Sequence, residues 1–396
     1  MSSNSPHPKP TVVFVDDVRW ESFVQLSAML RKAGFRTVRV SVGPLGWRPE
    51  HLLFDRNVVL PVPPTAEQLA EILANEYVAD VQPIESLAMT TYAALDLLPA
   101  AQRSDVWIGR AALLDKWRVA GVLRDLGLRS PDTLLLVGTS PIEAVAQLSL
   151  PIVLKRRVGS SGTSVNIFES LESLQKFVSK IEHSNDWFFE RFIHGRSLTC
   201  ASCISEGGID VTATYEILKR AHVRGPSSVV VFQNDKELAE YGKILFGALN
   251  VRGLACFDII RDSNEIDWIH DVNVRVFGSI SMCQLYGFDF RGAYIRFLLG
   301  RGRIETDRVR DPATKVFGFP DGRRDLLRSG SLGPTYVLTL KWIWQYWRLL
   351  GPRYFLFFTI ERPVSFFFRN WGRFGMRPSR LTQQRNESRR LQPPSA

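Results

Sequence analysis

The part of the sequence that is most indicative of the fold consists of two apolar segments, Gly253-Leu-Ala-Cys-Phe-Asp-Ile-Ile260 and Ile266-Asp-Trp-Ile-His-Asp-Val-Asn273. Both segments are rich in β-branched and aromatic residues, which are typical of strands. Between them lies Arg261-Asp-Ser-Asn-Glu265, a cluster of residues that is typical of turns. The pattern predicts an antiparallel β-hairpin.

This hairpin would bring polar side chains to one of its faces. A register symmetric about residues 264–265 places Asp258 directly opposite Asp271. Period two along the strand then places Asn273 and Arg275 on the same face as Asp271. Two crowded carboxylates repel each other unless a cation lies between them, and Mg²⁺ prefers carboxylate and amide oxygens. The pattern predicts a divalent-metal site, with an ordinary hairpin that has a polar solvent face as the alternative.

A second candidate site is a glycine- and serine-rich loop that follows a buried strand. Pro151-Ile-Val-Leu-Lys155 is the predicted strand, and residues 156–164 form the loop. Backbone N–H groups of such a loop can surround phosphates, and Lys155 would add positive charge. No Gly-Lys-Ser/Thr follows, so this is not a Walker loop. The alternative is a flexible hairpin tip.

Composition and charge restrict the class of protein. The chain has 396 residues, 45% of them hydrophobic and 23% charged, which predicts two or three packed subdomains. The net charge is +10, but residues 335–396 carry eleven Lys/Arg and two Glu and so account for +9 of it. The basic character therefore belongs to one terminal segment, and no specific binding of nucleic acid is expected.

The cysteines and the N-terminus predict a reducing compartment. Four cysteines are too few for a disulfide framework in a chain of this length. Cys200 and Cys203 form a CxxC motif, but in a strand an i, i+3 pair points to opposite faces, which argues against zinc. The N-terminus has no basic segment followed by an apolar one, so we expect no secretory signal and a cytoplasmic location.

The pattern of elements changes along the chain. Residues 11–15, 18–32 and 37–41 predict a strand, a helix and a strand, which make a βαβ unit and hence a parallel sheet. The same alternation continues to about residue 98. From about residue 151 onward the pattern changes, and it predicts strands at 151–155, 165–168, 187–193, 197–205, 209–217 and 228–232, with helices at 171–181 and 235–249, before the hairpin.

Three motifs in this order resemble the ATP-grasp superfamily over roughly residues 11–310. They are Lys155 with its loop, Phe189-Glu-Arg-Phe-Ile-His-Gly195, and Asp258 with Asp271-x-Asn273-x-Arg275. D-alanine:D-alanine ligase and biotin carboxylase have this fold. The resemblance implies α/β and α+β structure, with a Rossmann-like pre-grasp domain before the ATP-grasp fold and a C-terminal aromatic and basic helical extension.

The domain boundaries expected from this resemblance divide the chain into six parts. They are a disordered N-terminus (1–10), a pre-ATP-grasp α/β domain (11–110), ATP-grasp subdomain A (111–189), subdomain B with the metal hairpin (190–310), a helical aromatic and basic extension (311–376) and a disordered basic tail (377–396).

The resemblance also implies roles for individual residues, with ATP and Mg²⁺ or Mn²⁺ as cofactors. Nucleotide contacts are expected from Lys116, Lys155, the loop residues Gly159, Ser160, Ser161 and Gly162, the hinge residues Glu190, Arg191, Phe192 and Ile193, and Ser197. The expected metal ligands are Asp258, Asp271 and Asn273, and Lys155 and Arg275 are the expected catalytic residues.

Two positions depart from the family pattern. Asp271 stands where the family usually has glutamate, so a second metal ion is less certain. Ser197 stands where ligases of the family often have a glutamate that holds the ribose, and a serine binds a hydroxyl group more weakly.

The family chemistry implies that ATP converts a carboxylate to an acyl phosphate, which an amine or similar nucleophile then attacks. An anionic substrate would meet Lys219, Arg220 and Arg224, for which a solvated basic turn is the favoured alternative, and an amino group of a substrate would meet Glu85. One alternative is an ATP-binding module without turnover that acts as a peripheral membrane or scaffold protein. A carboxylase-type ATP-grasp subunit is another.

The C-terminal segment has an unusual composition. Residues 336–374 contain 14 of the 44 aromatic residues, with basic residues among them. The charges leave no uncharged run long enough to span a bilayer. Residues 335–390 could lie on an anionic membrane surface, or a helical pair could pack on the protein or on a second subunit, so a homo-oligomer is also compatible with the sequence.

Overall fold

The first part of the chain folds into a parallel sheet, as predicted. In the computed structural model, which describes residues 9–17, 21–43, 52–99, 106–159, 164–220, 227–301, 315–318 and 344–356, this sheet has four strands in the order β3-β2-β1-β4. The strands are β1 (Thr11–Asp16), β2 (Arg36–Val42), β3 (Arg56–Leu60) and β4 (Val78–Pro83), and the helices are α1 (Glu21–Lys32), α2 (Ala66–Ala74) and α3 (Glu85–Asp96). Apolar residues fill β1 on both faces, which is typical of a parallel strand covered by helices.

A small antiparallel sheet follows helices α4 (Val106–Ala111) and α5 (Lys116–Asp125). Its strand order is β5-β8-β6-β7. The strands are β5 (Thr133–Leu135), β6 (Ile152–Arg156), β7 (Val165–Phe168) and β8 (Trp187–Arg191). Helices α6 (Pro141–Leu148) and α7 (Leu171–Val178) close a core of their own on this sheet. Ser140 and Glu143 form a capping box that satisfies the first N–H groups of α6.

The predicted hairpin lies at one edge of a six-stranded antiparallel sheet with the order β13-β12-β9-β10-β11-β14. Its strands are β9 (Arg196–Ser205), β10 (Gly208–Arg220), β11 (Ser227–Gln233), β12 (Gly253–Arg261), β13 (Asp267–Asn273) and β14 (Lys315–Phe317). Helix α8 (Lys236–Ala248) packs on one face, and α9 (Ile280–Tyr286) and α10 (Phe290–Leu298) pack on the other.

The two cysteines of the CxxC motif pack in different cores. Cys200 belongs to the core under α8, whereas Cys203 belongs to the core under α9 and α10. Both are buried and free, as are Cys256 and Cys283. The prediction that strand geometry separates Cys200 from Cys203 is confirmed.

The apolar face of helix α5 packs on the large sheet, while Trp117 in its first turn contacts Phe188 of the small sheet. Leu113, Val119, Leu123 and Leu128 share a core with β12, β13 and α8. The predicted boundary had placed this helix in subdomain A, with the small sheet. The six-part division of the chain stays a prediction.

The C-terminal extension is only partly helical in the residues that the structure describes. Strand β14 pairs with β11, whereas residues 344–350 and 352–356 are helical. We call residues 344–356 the C-terminal helical segment. Its buried side chains, Tyr346, Leu349, Leu350 and Tyr354, join the core shared by α1 and α9. Nearly all of the ends predicted to be disordered, residues 1–8 and 377–396, lie outside the described residues.

No helix among the described residues is both long and apolar enough to cross a membrane.

Candidate active site

The register of the β12–β13 hairpin places Asp258 opposite Asp271, as the sequence predicts. Cys256 likewise pairs with Asn273. Closer to the turn the register shifts, because Ile259 pairs with Ile269 and His270 is left as an extra residue. This bulge bends the strand beside the polar pair. The predicted symmetry about residues 264–265 therefore holds only for the half of the hairpin that carries the carboxylates.

The two facing carboxylates have different electrostatic environments. Burial raises the pKa of Asp258, and the negative charge of Asp271 raises it further. The Thr199 hydroxyl donates a hydrogen bond of 2.6 Å to Asp258. Burial also opposes ionisation of Asp271, but the ammonium group of Lys116 outweighs it, and the pKa of Asp271 falls to about 2. A positively charged group beside Asp258 and Asp271 is therefore strongly favoured electrostatically.

Lys116 reaches Asp271 from the first turn of α5. The N-cap residue Asp115 accepts a hydrogen bond of 3.1 Å from the backbone N–H of Trp117, which begins the helix. The Lys116 backbone N–H donates to the carbonyl of Arg157 at 2.8 Å, and the Arg157 guanidinium pairs with Asp115. The start of α5 is thus tied to the segment that follows β6.

Lys155 connects the small sheet to the large one. Its ammonium group lies 2.6 Å from the Glu190 carboxylate, and the side chains of both residues are nearly buried. It also donates a hydrogen bond of 3.0 Å to the backbone carbonyl of His270 in β13. Burial raises the pKa of Glu190, while the Lys155 charge lowers it. Lys155 therefore holds two strands of the small sheet against the bulge of the hairpin.

Asn273 and Arg275 line a small cavity together with Lys116 and Gly159. Arg275 is buried, and its guanidinium donates to the carbonyl of Val276 at 3.0 Å. Pro83 and Tyr92, from the end of β4 and from α3, complete one wall of the cavity. The parallel sheet thus contributes to the site through the carboxyl end of a strand, where ligands of open α/β sheets bind.

The other predicted hinge residues and Ser197 lie at the end of β8 and in β9. Arg191 is exposed and pairs with Asp132 at 2.7 Å. Phe192 and Ile193 are half-buried where the chain leaves β8, and Ser197 lies in β9 opposite Ile260. The loop residues Ser160, Ser161 and Gly162, and Arg224, lie outside the described residues. Glu85 begins α3, and the structure describes only its backbone.

Two residues of the site were missed by the sequence reasoning. Thr199 touches Asp258 because β9 pairs with β12 in a register that places the two residues opposite each other. His270 lies at the bulge, and its Nε2 atom is buried without a hydrogen-bond partner. Burial and the Lys155 charge lower the pKa of His270 to about 3, so its imidazole is neutral at pH 7. A threonine facing an aspartate across strands is a recognisable signal once the strand order is known.

The predicted metal ligands fit a hard divalent cation. Among the described residues, no group of three or more His, Cys, Asp and Glu is arranged to hold a metal ion. The set at the hairpin consists of two carboxylates and one amide, with Asn273 Nδ2 at 3.4 Å from Asp271 Oδ2. Mg²⁺ needs few protein oxygens when phosphates and water supply the rest. In the structure the charge of Asp271 is balanced by the Lys116 ammonium.

Known proteins share this fold. Residues 113–279 match the family model of an ATP-grasp domain. A D-alanine–D-alanine ligase of Nitrosomonas europaea is 25% identical over 195 residues, which are 46% of this chain and 63% of the ligase, so the chain spans less than two thirds of that relative.

Two solved structures are similar over most of the chain. One is carboxyaminoimidazole ribonucleotide synthase from Aspergillus clavatus complexed with ATP (TM-score 0.63, 13% identity, 77% of this chain and 80% of that chain). The other is the biotin carboxylase domain of 2-oxoglutarate carboxylase from Hydrogenobacter thermophilus, in complex with ADP, its magnesium salt and bicarbonate (TM-score 0.60, 16% identity, 75% and 72%). The chain has the ATP-grasp fold, and its residues 113–279 match the ATP-grasp domain family.

Proposed function

We propose that this chain is an ATP-dependent ligase that activates a carboxylate as an acyl phosphate and joins it to an amine. The observation that carries the proposal is that cationic side chains surround the hairpin carboxylates: Lys116 pairs with Asp271, which faces Asp258, Lys155 contacts the neighbouring His270 carbonyl, and Arg275 lines a cavity with Lys116. Cationic side chains on both sides of a carboxylate pair can bind a nucleotide whose phosphates are complexed with a metal ion. The family match supports ATP as the nucleotide.

The reaction takes place in two steps. A carboxylate oxygen of the acid attacks the terminal phosphorus of ATP, the bond from that phosphorus to the bridging oxygen breaks, and ADP leaves. The amine nitrogen then attacks the acyl carbon, the carbon–oxygen bond to phosphate breaks, and the nitrogen loses a proton. In the first step negative charge moves from the carboxylate to the departing ADP, and in the second it develops on the acyl oxygen and on the departing phosphate, so catalysis rests on positioned positive charge.

The residues of this chain supply that charge from three directions. Lys116 lies at the start of α5, Lys155 reaches the site from the small sheet, and Arg275 lies beyond the hairpin. Arg275 is buried and lines the same cavity as Asn273. Asp258, Asp271 and Asn273 would hold Mg²⁺ or Mn²⁺, which supplies neutralisation of phosphate oxygens when bound.

The acid is proposed to bind near the end of β10. Lys219 and Arg220 are exposed there. Burial and the charge of Asp271 raise the pKa of Asp258, whereas the positive charge of Arg220 lowers it, so Arg220 acts on the site electrostatically. An exposed arginine that influences a buried carboxylate is well placed to attract an anionic substrate.

A screen for ADP release tests this proposal. Purified protein is incubated with Mg-ATP and a panel of carboxylic acids, each with and without a panel of amines. We expect ADP release that requires both an acid and an amine. Absence of ADP with every pair, from protein that is folded and binds ATP, would overturn the ligase proposal.

Two other functions have specific support. The two solved structures described above are a ribonucleotide synthase and a carboxylase domain, which favours a carboxylase-type reaction as the second candidate. That reaction would release ADP with bicarbonate and no amine. Asp271 and Ser197 depart from the family pattern and support the third candidate, an ATP-binding module without turnover, which would bind Mg-ATP and release no ADP.

The location of the protein, its contact with membranes and its oligomeric state are further proposals. The four free, buried cysteines support a reducing compartment such as the cytoplasm. Contact of residues 335–390 with an anionic membrane surface is supported by the exposed side chains of Trp344 and Trp347. The homo-oligomer stays a prediction.

A further inference from the structure

A groove lies between the first domain and the C-terminal helical segment, away from the carboxylate pair. It is a cavity of about 570 Å³ open to solvent. Its walls are partly apolar, with Phe35 and Leu350 among them. The charged side chains that line it are five cations and one acid: Lys9, Arg31, Lys32, Arg36, Arg353 and Asp55.

Three of the five cations are not balanced by an acid. Arg31 bonds to Asp55 at 2.9 Å, and Arg36 pairs with Glu76. Lys32 donates only to a neutral group, the backbone carbonyl of Arg348. Within the part of the chain that the structure describes, Lys9 and Arg353 form no ion pair with an acidic side chain. The groove therefore presents a net positive charge beside an apolar wall.

The outer face of the C-terminal helical segment continues this surface. Tyr346, Leu349 and Leu350 point into the core, so helical geometry directs Trp344 and Trp347 to the opposite side. Trp344 is 57% exposed and Trp347 is 46% exposed. They are the only tryptophans with exposed side chains among those whose side chains the structure describes.

The exposed tryptophans and the groove form one surface. Arg348 lies over the Trp344 ring at 4.7 Å. Pro352 and Arg353 line the groove and are themselves exposed, and Leu356 at the end of the segment is 51% exposed. Tryptophan side chains beside basic residues are typical of protein surfaces that rest at the level of lipid headgroups.

We propose that the groove binds the headgroup of an acidic phospholipid in a bilayer, while Trp344, Trp347 and Leu356 enter the interface beside it. An acidic phospholipid supplies both parts of the required chemistry, since its phosphate matches Lys9, Lys32 and Arg353 and its acyl region matches the exposed apolar side chains. A small soluble anion would leave the tryptophans in water. This site does not depend on the proposed ligase reaction.

Sedimentation with vesicles tests the proposal. The full chain is mixed with vesicles of phosphatidylcholine alone or of phosphatidylcholine with phosphatidylglycerol. We expect binding to the acidic vesicles only. Each of the variants Lys9→Gln, Lys32→Gln and Arg353→Gln should weaken binding roughly fivefold, the amount expected for one basic residue at a lipid surface. Arg124→Gln, which removes an exposed arginine from the last turn of α5, is the matched control and should bind like the wild type.

The apolar part is tested separately. Trp344→Ala and Trp347→Ala should each weaken binding to acidic vesicles, and soluble glycerol phosphate should not displace the wild type. Melting temperature and ATP binding should be unchanged in all of these variants, which separates failure of this proposal from failure of the proposed function. Displacement by glycerol phosphate would show a soluble anion site and overturn the bilayer assignment. Equal binding of the wild type and the groove and tryptophan variants would place lipid contact elsewhere in the chain and would also overturn it.

Discussion

Lys155 and Glu190 form a nearly buried ion pair at 2.6 Å, and the same ammonium group donates to the His270 carbonyl in the other antiparallel sheet. One side chain thus links the two sheets that enclose the proposed nucleotide cleft. If one sheet moved relative to the other, this contact would have to break, or Lys155 would have to move together with the His270 carbonyl. The pair therefore combines a structural role with the proposed contact to phosphate.

Removing either partner alone should destabilise the protein unequally. Lys155→Met leaves a buried carboxylate without its cation and should lower the free energy of unfolding by about 3 kcal/mol. Glu190→Gln should cost less, because the lysine retains the His270 carbonyl. The double variant should recover part of the stability lost in Lys155→Met but should not recover ATP binding. Urea denaturation and nucleotide titration measure these effects, and full ATP binding by Lys155→Met would contradict the phosphate role.

The Lys155→Met variant should also show a defined pH dependence. Burial raises the pKa of Glu190 above its ordinary value, and loss of the Lys155 charge removes the main interaction that opposes that rise, leaving only the smaller effect of Lys116. The folded state then binds the proton more tightly than the unfolded state, so stability falls as pH rises through the folded pKa. The loss of stability relative to wild type should be larger at about pH 8 than at about pH 5. A loss independent of pH would show that Glu190 does not titrate.

The carboxylate pair should be needed for turnover but not for folding. Asp258→Asn and Asp271→Asn should each lower ADP release by about 100-fold or more, since the metal would lose an anionic ligand. Asp258→Asn should fold at least as stably as wild type because it removes repulsion between the two carboxylates. Asp271→Glu should keep substantial activity, and Asp125→Asn, at the exposed end of α5, is the surface control. Unchanged ADP release in both Asn variants would remove the metal assignment.

Thr199 is a positioning residue in this arrangement. Its hydroxyl donates a hydrogen bond of 2.6 Å to Asp258. Thr199→Val should raise the Mg²⁺ concentration for half-maximal activity roughly 10-fold to 100-fold, with little change in ATP binding at saturating Mg²⁺. Thr199→Ser keeps the donor and should restore the wild-type value. If valine and serine behave alike, the hydrogen bond does not orient the ligand.

Two glycines should respond to alanine in opposite ways. A Cβ atom at Gly195, at the start of β9, would collide with the backbone carbonyl of Arg261 in β12. Gly195→Ala should therefore lower the free energy of unfolding by about 1–3 kcal/mol. Gly121 lies within α5 with no neighbouring atom within 4 Å of an added Cβ, so Gly121→Ala should raise stability by about 0.5–1 kcal/mol. Thermal denaturation of the two variants checks both signs.

Packing of the C-terminal helical segment can be tested through one hydroxyl group. Tyr354 is fully buried, donates to the Glu21 carboxylate and accepts from Gln25 at 3.3 Å. Tyr354→Phe should cost about 1–2 kcal/mol of stability because both partners lose a bond in a buried site. Tyr77→Phe changes a tyrosine that is 60% exposed and should have no measurable effect. Equal stability of the two variants would show that the segment is not held in this way.

The features that depend on local periodicity could be predicted from the order of the amino acids. The parallel first domain, the hairpin of β12 and β13, the opposition of Asp258 to Asp271 and the separation of Cys200 from Cys203 all follow from repeats of 3.6 or two residues and from turn chemistry. The order of the three motifs was enough to indicate the ATP-grasp fold.

The contacts between residues far apart in the chain could not be predicted in this way, because they depend on how the sheets and helices pack. The contact of Thr199 with Asp258 depends on the β9–β12 register, and the contact of Lys155 with His270 depends on how two sheets face each other. Helix α5 packs on the large sheet, and the basic groove exists because Tyr354 docks the C-terminal helical segment against α1. Each of these contacts joins segments that are far apart in sequence, and the burial that selects them is a property of the whole packed core.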